Sequence, residues 1–329
     1  MGKKEKLITE EKNNKTIITD PFLSQVLKRV ENLIVIAGFP GAGKSTLLFR
    51  IANELLKNGK IIYFFDTEHQ IAPERLSLIS EQFRQNFNYE RLVFFEELVE
   101  KILDKINNPP TNLNDIAFMW DSVGGTSIKA EFESLKDMTK NAAAIQAGGI
   151  ALLPRILSYF LRNIVPVLDH YGIPFIITNQ YRSKIQLNPY AGLPKNFYGE
   201  KGEMPGGFAL KHYAYVYLEL IRKEQADSGM WVRIRALKNK MQSPAEIDYY
   251  LDYVKGFDEN IMMIEYAFQN KIISNSAGWY NWKDKKFRKN ELIELFKSDE
   301  KEFEELRNKV ILSLDSNNLS SNVIINNED

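Results

Sequence analysis

The chain has 329 residues, of which 44% are hydrophobic, and can form one large α/β domain or a core domain with a smaller appendage. Lysine plus arginine and aspartate plus glutamate both total 43, so any nucleic-acid-binding surface must be a local basic patch. The absence of cysteine excludes disulfides, thiolate catalysis and cysteine-ligated zinc. No apolar run has the length of a membrane span and the first residues carry no signal region, which predicts a soluble, cytoplasmic protein without a membrane partner.

A short segment, residues 1–32, precedes the first predicted core strand. Its polar, lysine-rich start predicts disorder until it meets a partner, and residues 16–19 can form a short strand. The dipeptide Asp20-Pro21 then predicts a short helix over residues 22–30. The core strand follows at once, so we expect no separate N-terminal domain.

The most informative stretch is residues 33–46, which read LIVIAGFPGAGKST. Its apolar start predicts a buried parallel strand, and the helical spacing after it predicts a helix that ends at Asn58-Gly59. Between strand and helix the chain fits the phosphate-loop pattern G-x-x-x-x-G-K-[ST]. The predicted nucleotide-binding residues are Gly38, Phe39, Pro40, Gly41, Ala42, Gly43, Lys44, Ser45 and Thr46.

The residue types in this loop suit phosphate chemistry. Glycines lack a Cβ atom, so the backbone can aim its N–H groups at phosphate oxygens, and the helix presents its positive end to the same anion. We expect Lys44 to reach the β- and γ-phosphates and the Ser45 hydroxyl to bind Mg²⁺. The alternative is a glycine-rich turn with an incidental lysine, but strand, loop and helix in this order favour a nucleoside triphosphate site.

Two further predicted strands end in acidic residues. Residues 60–65, KIIYFF, run into Asp66-Thr67-Glu68-His69, and residues 116–121 close on Asp121. Because ligands gather at the carboxyl ends of parallel strands, both acidic groups are expected near the phosphate loop. Asp121 fits the Walker B arrangement, which holds Mg²⁺ through water. A carboxylate of the first group can polarise the attacking water, or the group is a solvated acidic turn, and the residues alone leave both open.

A long predicted loop, residues 182–207, follows a buried strand at 175–178 that ends in Asn179-Gln180. Loops of this length are usually functional or disordered. Its basic and aromatic residues suit single-stranded nucleic acid, since cations meet phosphates and rings stack on bases, although an ordinary surface loop is the alternative.

The other predictions between residues 74 and 171 are helix over 74–106 with a possible strand at 92–95, a mixed segment over 122–149, and an amphipathic helix over 150–171 kinked at Pro166.

The last third of the chain predicts a hairpin, residues 213–221 and 230–237, with another strand near 247–251. From residue 258 to 314 we expect a small α+β domain, and residues 315–329 are Asn/Ser-rich and predict a disordered tail. Tryptophans 279 and 282 can stack on bases or form a small core, and the core is favoured because so small a unit needs large side chains.

Five motifs, in this order along the chain, resemble the RecA family of recombinases, including its phage members. They are GFPGAGKST; FFDTEH; MWDSVGG followed by Lys129-Ala130-Glu131; ITNQYR; and GGFALKHYA followed by ALKNK and AGWY. The resemblance covers about residues 33 to 282. It implies an α/β fold, a RecA-like P-loop ATPase core over residues 33–257 with a central, mostly parallel sheet flanked by helices.

The resemblance also implies roles for single residues. Glu68 would activate the attacking water, Gln180 would sense the γ-phosphate, and Asp121 would be the Walker B aspartate. Lys238 and Lys240 match two lysines that reach the ATP of a neighbouring subunit, so the site would be complete only in an assembly. Residues 131–149 and 182–207 fall where the family has its two DNA-binding loops. The DNA-binding residues expected there are Lys136, Lys140, Arg182, Lys184, Lys195, Tyr198, Lys201, Gly206 and Gly207.

The chain departs from bacterial RecA at several points. The segment before the phosphate loop is shorter, and residues 16–19 are the candidate for a subunit-contact arm. His212 stands where bacterial RecA has an aromatic residue, the residues after Glu68 do not match the adenine-contacting positions, and the tail is less acidic. These differences favour a phage-type or otherwise divergent member, in a bacterial or host cytoplasm.

The expected function is that of an ATP-dependent DNA recombinase. Such a protein is a DNA-dependent ATPase that uses ATP and Mg²⁺, forms helical filaments on single-stranded DNA and exchanges strands with double-stranded DNA. Single-strand-binding and loader proteins are expected partners. Two alternatives are a ring helicase, which would normally carry an additional N-terminal domain, and a RecA-like paralogue that acts as a mediator.

Overall fold

The computed structural model describes residues 16–138, 152–181, 206, 208–226 and 228–324. The chain divides into two compact units, Met1–Tyr249 and Tyr250–Asp329. The division lies somewhat before residue 257, where the predicted core ends, and residues 16–32 belong to the first unit. No helix in the described parts of the chain is both long enough and apolar enough to cross a membrane.

An eight-stranded sheet forms the centre of the first unit. Its strands are β3 (Leu33–Gly38), β4 (Ile61–Asp66), β5 (Phe87–Arg91), β6 (Ile116–Asp121), β7 (Phe175–Gln180), β8 (Val216–Gln225), β9 (Gly229–Asn239) and β10 (Glu246–Asp252), after two short strands, β1 (Thr16–Ile17) and β2 (Arg29–Val30). The order across the sheet is β10-β9-β8-β3-β7-β6-β4-β5. Neighbours from β8 to β5 pair in parallel and β9 pairs antiparallel with β8, so the α/β class and the mostly parallel sheet are confirmed.

Helices cover the sheet because its strands are apolar on both faces. Every residue of β3 and β6 is buried, as expected for parallel strands with a helix layer on each side. One layer packs Phe95, Leu161 and Leu168 against the strands, and the other packs Phe49 onto Phe64 with ring centroids 5.4 Å apart. The helices of this unit are α1 (Lys44–Lys57), α2 (Phe95–Asn107), α3 (Lys129–Met138), α4 (Leu152–Tyr171) and α5 (Ala209–Tyr213).

The region between β4 and α2 differs from the prediction of helix over residues 74–106 with a possible strand at 92–95. Two 3-10 turns, Pro73–Leu78 and Glu81–Asn86, lead into β5, and α-helix begins only at Phe95. The third strand therefore lies at 87–91 rather than at 92–95. Tertiary packing decides this, because Phe87 contacts the rings of both Phe49 and Phe64 while β5 pairs in parallel with β4.

The segment before β3 is tied into the first unit. Instead of the predicted helix over 22–30, one 3-10 turn leads into β2, which pairs antiparallel with β1. Asp20 is fully buried and accepts hydrogen bonds from Arg50 at 2.9 and 3.0 Å and from the Tyr249 hydroxyl at 2.6 Å. Thr19 donates to Glu54, also on α1, through its backbone N–H at 2.8 Å and its hydroxyl at 2.7 Å.

The second unit is a small α+β assembly, as predicted. It contains α6 (Glu259–Gln269), the antiparallel strands β11 (Ser274–Ser276), β12 (Trp279–Trp282) and β13 (Lys285–Phe287), then α7 (Lys289–Ser298) and α8 (Glu300–Ile324). Trp282 is buried against Phe296, whereas Trp279 is exposed beneath the Arg288 guanidinium. Helix α8 continues to Ile324, into the segment from residue 315 for which the sequence predicts a disordered tail.

Candidate active site

The phosphate loop connects β3 to α1 in the predicted geometry. Gly41 and Gly43 have φ angles of 72° and 91°, a left-handed backbone that residues with a Cβ atom rarely adopt. Gly38 is required for another reason, because a Cβ atom there would lie 2.7 Å from the Leu220 carbonyl oxygen on β8. The loop therefore needs glycine at each of these three positions.

Lys44 lies inside this loop and is mostly buried. Its ammonium group donates to the carbonyl oxygen of Phe39 at 3.0 Å, so the side chain folds back along the loop. Burial lowers the pKa of Lys44, and the carboxylates of Asp121 and Glu68 oppose that change. The lysine thus lies near two carboxylates, one at the end of β6 and one just after β4.

Asp121 is the buried acid at the carboxyl end of β6. The hydroxyls of Ser45 and Thr178 both hydrogen-bond to its carboxylate. The pKa of Asp121 is raised to about 6, chiefly by burial and also by the nearby carboxylates of Glu68 and Asp66, while the two hydroxyl bonds act in the opposite direction. Ser45 and Asp121 therefore form an oxygen-donor pair of the kind that Mg²⁺ accepts together with water and phosphate oxygens.

Glu68 lies beside this pair and is held from two sides. Gln180, at the end of β7, donates its side-chain amide to one Glu68 carboxylate oxygen, and the Ser122 hydroxyl donates to the other at 3.0 Å. Gly125 approaches so closely that a Cβ atom there would lie 2.9 Å from the Glu68 Cα. The carboxylate named from sequence as the water-activating group is thus oriented rather than freely solvated.

Sheet register explains why these residues meet. Gly38 pairs with Gln180 and Asp66 pairs with Asp121, so the carboxyl ends of β3, β7, β6 and β4 finish at one edge. This edge is where open α/β sheets bind ligands. The structure therefore brings Gly38–Thr46, Glu68, Asp121 and Gln180 together, as the strand endings predicted for the two acids and the family resemblance implied for Gln180.

Lys238 and Lys240 lie away from this edge. Lys238 pairs with Tyr217 on β8, and Tyr217 pairs in turn with Val35, which lies three residues before Gly38. The backbone amide of Lys240 donates to the Tyr215 carbonyl oxygen. At about 3.3 Å per residue the lysines stand roughly 10–16 Å along the sheet from the phosphate loop of their own chain. Lys238 donates to the carbonyl oxygens of Lys211 and His212 at 2.9 and 2.8 Å, which turns it toward α5.

Most of the predicted DNA-binding residues lie outside the described part of the chain: Lys140, Arg182, Lys184, Lys195, Tyr198, Lys201 and Gly207. Lys136 belongs to helix α3. Gly206 is buried, with a φ angle of 81°, and a Cβ atom there would lie 2.5 Å from a Leu157 methyl carbon and 3.3 Å from a Val123 methyl carbon. This glycine is a close-packed backbone position next to the strand that carries Asp121.

Several site residues were not singled out from the sequence. Thr178 and Ser122 orient Asp121 and Glu68, and Tyr89 donates to the buried carboxylate of Asp66 at 2.6 Å. The sequence does contain a signal for Thr178, because side chains alternate along a strand and Thr178 therefore lies on the same face as Gln180, two residues later. No local pattern marks Tyr89, because its role depends on where β5 pairs.

Comparison with known proteins decides the family. The model of the RecA N-terminal domain matches residues 29–258. This chain belongs to the RecA family. It is similar to Protein RecA of Helicobacter acinonychis (strain Sheeba), with 27% identity over 291 residues, 86% of this chain and 76% of the relative. It is also similar to Protein RecA of Mycoplasma mobile, with 26% identity over 299 residues, 88% of this chain and 83% of the relative.

A third relative, Protein RecA of Helicobacter pylori (strain P12), is 29% identical over 297 residues, 87% of this chain and 78% of the relative. The resemblance predicted from the motifs is therefore confirmed, and the chain is a member of the RecA family. The matched residues 29–258 contain the whole edge of the sheet at which Lys44, Glu68, Asp121 and Gln180 meet.

Proposed function

We propose that this protein is an ATP-dependent DNA recombinase that assembles on single-stranded DNA, pairs it with homologous double-stranded DNA and exchanges strands. The observation that carries the proposal is the arrangement of Glu68, held by Gln180 and Ser122, beside the phosphate loop and the Ser45–Asp121 pair. A fixed carboxylate at this place suits activation of a water molecule for attack on a γ-phosphate.

The residues present fit ATP and Mg²⁺. The backbone of Gly38–Thr46 would bind the phosphates with Lys44, and the Ser45 hydroxyl and the Asp121 carboxylate would hold Mg²⁺, which when bound neutralises charge on the phosphate oxygens. Among the described residues no cluster of three or more His, Cys, Asp or Glu side chains could bind a metal ion by itself.

Gln180 is proposed to link nucleotide and DNA. It is the last residue of β7, it contacts Glu68, and the Tyr181 amide next to it donates to the Gly38 carbonyl oxygen at 3.1 Å. Residues 182–207, the proposed second DNA-binding loop, follow directly. A γ-phosphate contact at Gln180 would therefore change the loop that grips DNA, a ligand-driven switch.

Strand exchange with the purified full chain tests the proposal. With homologous single- and double-stranded DNA, ATP and Mg²⁺, we expect joint molecules, and none when ATP is omitted. Electron microscopy of the same mixtures is expected to show open helical filaments. ATPase activity without joint molecules would identify a mediator instead, and closed rings would identify a helicase. Single-strand-binding and loader proteins are proposed partners whose addition should raise the yield.

Glu68→Gln tests the role of the carboxylate. The amide keeps the size of the side chain but cannot accept a proton, so DNA-stimulated hydrolysis should fall by at least about 100-fold. Binding of a fluorescent ATP analogue and of an oligonucleotide should stay near the wild-type level. Loss of nucleotide binding in this variant would contradict the role proposed for Glu68.

A further inference from the structure

The loop after β4, residues 67–71, carries Glu68 and is anchored by the buried carboxylate of Asp66. One oxygen of Asp66 accepts the backbone N–H of Glu68 at 3.0 Å and that of His69 at 2.7 Å. Aspartate commonly stabilises a turn by accepting from the N–H groups two and three residues later. The direction in which the Glu68 side chain leaves the backbone thus depends on the orientation of Asp66.

Asp66 is oriented in turn by the end of the edge strand β5. The Tyr89 hydroxyl donates to the second Asp66 oxygen at 2.6 Å, and the Arg91 Nε donates to the Tyr89 hydroxyl oxygen at 3.1 Å. Another nitrogen of the Arg91 guanidinium donates to the Ile71 carbonyl oxygen at 2.9 Å. Tyr89 and Arg91 therefore hold the loop at both of its ends.

A second contact from the same strand end supports this arrangement. The Leu92 carbonyl oxygen lies 2.9 Å from the His69 ring nitrogen Nε2, and the Leu92 amide donates to the Asp66 carbonyl oxygen at 3.0 Å. His69 itself has a φ angle of 58°, an uncommon backbone conformation that needs such support. The loop bearing Glu68 is therefore shaped by β5, a strand that contributes nothing to the phosphate loop.

The hydroxyl of Tyr89 is not needed for packing. The Tyr89 ring contacts Phe64 at a centroid distance of 5.8 Å, a contact that phenylalanine would preserve. Arg91 is nearly half exposed, and its Nε lies 3.9 Å from the Asp66 carboxylate, too far for a hydrogen bond. Among the described contacts, the guanidinium is hydrogen-bonded toward Asp66 only through the Tyr89 hydroxyl, beside a direct electrostatic attraction at 3.9 Å, so the two side chains form one relay.

We propose that Tyr89 and Arg91 are positioning residues for ATP hydrolysis, which act through Asp66 to keep the Glu68 carboxylate in its place beside Gln180. The inference rests on the proposed function of Glu68 and names the part of the chain that sets its geometry. Small displacements of a catalytic group are costly, since a shift of about 1 Å can slow a reaction by about 100-fold. Loss of the relay should thus lower kcat without weakening ATP binding.

The test compares Tyr89→Phe with Tyr63→Phe in the full chain. Tyr63 is a matched control, because it lies on the adjacent strand β4, is buried beside Phe118, and has no hydrogen bond to residues 66–71 among those the structure describes. With single-stranded DNA we expect kcat for ATP to fall about tenfold in Tyr89→Phe while KM changes less than about twofold, and Tyr63→Phe to match the wild type.

Arg91→Lys is the second variant, in case Tyr89→Phe lowers the melting temperature. Lysine keeps the charge but cannot bond to Tyr89 and Ile71 together, so kcat should again fall, by about threefold, with KM preserved. In a Glu68→Gln background, neither variant should slow the residual single-turnover hydrolysis further, because both act through Glu68. A purely structural role would instead slow both backgrounds.

The outcomes separate the two proposals. If Glu68→Gln still hydrolyses ATP at the wild-type rate, the proposed function of Glu68 fails whatever the other variants do. If Glu68→Gln loses hydrolysis but Tyr89→Phe and Arg91→Lys both keep the kcat of the wild type, the positioning role is wrong and the proposed function stands. A rise in KM with kcat unchanged would also overturn the positioning role.

Discussion

At the scale of single residues, the candidate site keeps charged groups where burial disfavours them. Burial lowers the pKa of Lys44 and raises the pKa of Asp121 to about 6. The Asp121 carboxylate favours the charged state of Lys44 and so opposes its shift. Such opposed shifts in one cleft are typical of functional sites rather than of surface charges.

The Asp121 pKa leads to a pH prediction for the nucleotide-free protein in EDTA. An unfolded aspartate has a pKa near 3.9, so the folded state binds this proton more tightly. The Asp121 proton stabilises the folded protein fully below about pH 4, and this contribution to the free energy of unfolding is lost as pH rises through about 6. Ionising the folded carboxyl then costs roughly 2–3 kcal/mol. Asp121→Asn should therefore raise the free energy of unfolding at pH 8 by roughly 1–3 kcal/mol, and by about half as much at pH 5.

Urea denaturation at both pH values measures this difference. Asp248→Asn is the control, because the hydrogen bond from Arg233 lowers the pKa of Asp248. The Asp248 carboxylate therefore stabilises the fold at high pH and loses this effect as pH falls, the opposite of Asp121. A stability of Asp121→Asn equal to that of the wild type at pH 8 would contradict the raised pKa. The variant should also lose Mg²⁺-dependent ATP hydrolysis, since the proposed metal site would lack its carboxylate.

At the scale of elements, the segment before β3 depends on side chains of α1 and β10 for its position. Asp20 is fully buried, and its partners Arg50 and Tyr249 come from two different elements. A buried charged group is costly to leave without its partner, whereas an exposed ion pair adds little. The two cases can be compared within this chain.

Asp20→Ala should lower the free energy of unfolding by about 3 kcal/mol, because Arg50 would keep a buried charge with Glu54 as its remaining carboxylate neighbour, 3.4 Å away. Asp248→Ala removes one of two carboxylate partners of the partly exposed Arg233, which keeps Glu246 at 2.8 Å, and should cost about 1 kcal/mol or less. Chemical denaturation of both variants gives the comparison. Equal losses would show that the Asp20 network does not anchor the segment.

At the scale of the whole molecule, the position of Lys238 and Lys240 favours assembly. Both stand toward the end of the sheet opposite to the phosphate loop of their own chain, level with residues 33–35. A lysine so placed can reach an ATP molecule only if a second copy presents its phosphate loop to that end. The two lysines are thus proposed to act in trans.

Mixing two inactive variants tests action in trans. Lys240 is exposed, with its ammonium 5.6 Å from the Tyr215 ring centroid, so Lys240→Ala should fold normally yet hydrolyse little ATP. Glu68→Gln should also be inactive. A mixture on single-stranded DNA should recover hydrolysis, because Glu68→Gln subunits offer an intact Lys240 to neighbours that retain Glu68. No recovery in mixed filaments would contradict action in trans.

The sequence by itself determined the nucleotide-binding edge and the fold class. The phosphate loop, the apolar strands and the acids at their ends are local patterns, each set by the conformations that a few neighbouring residues allow. Parallel strands then bring their ends together without further information, which places Lys44, Glu68 and Asp121 at one edge, whereas Gln180 is identified by the family resemblance alone. Matching family motifs added their roles.

Only the tertiary structure decided which partners hold those residues. Gln180 and Glu68 are 112 residues apart, and Asp20 and Tyr249 are 229 apart, so no local pattern records that they meet. The position of β5 is set by packing of Phe87 on Phe49 and Phe64, and this in turn delivers Tyr89 to Asp66. Such contacts depend on strand order and register, which arise from the whole sheet rather than from neighbouring residues.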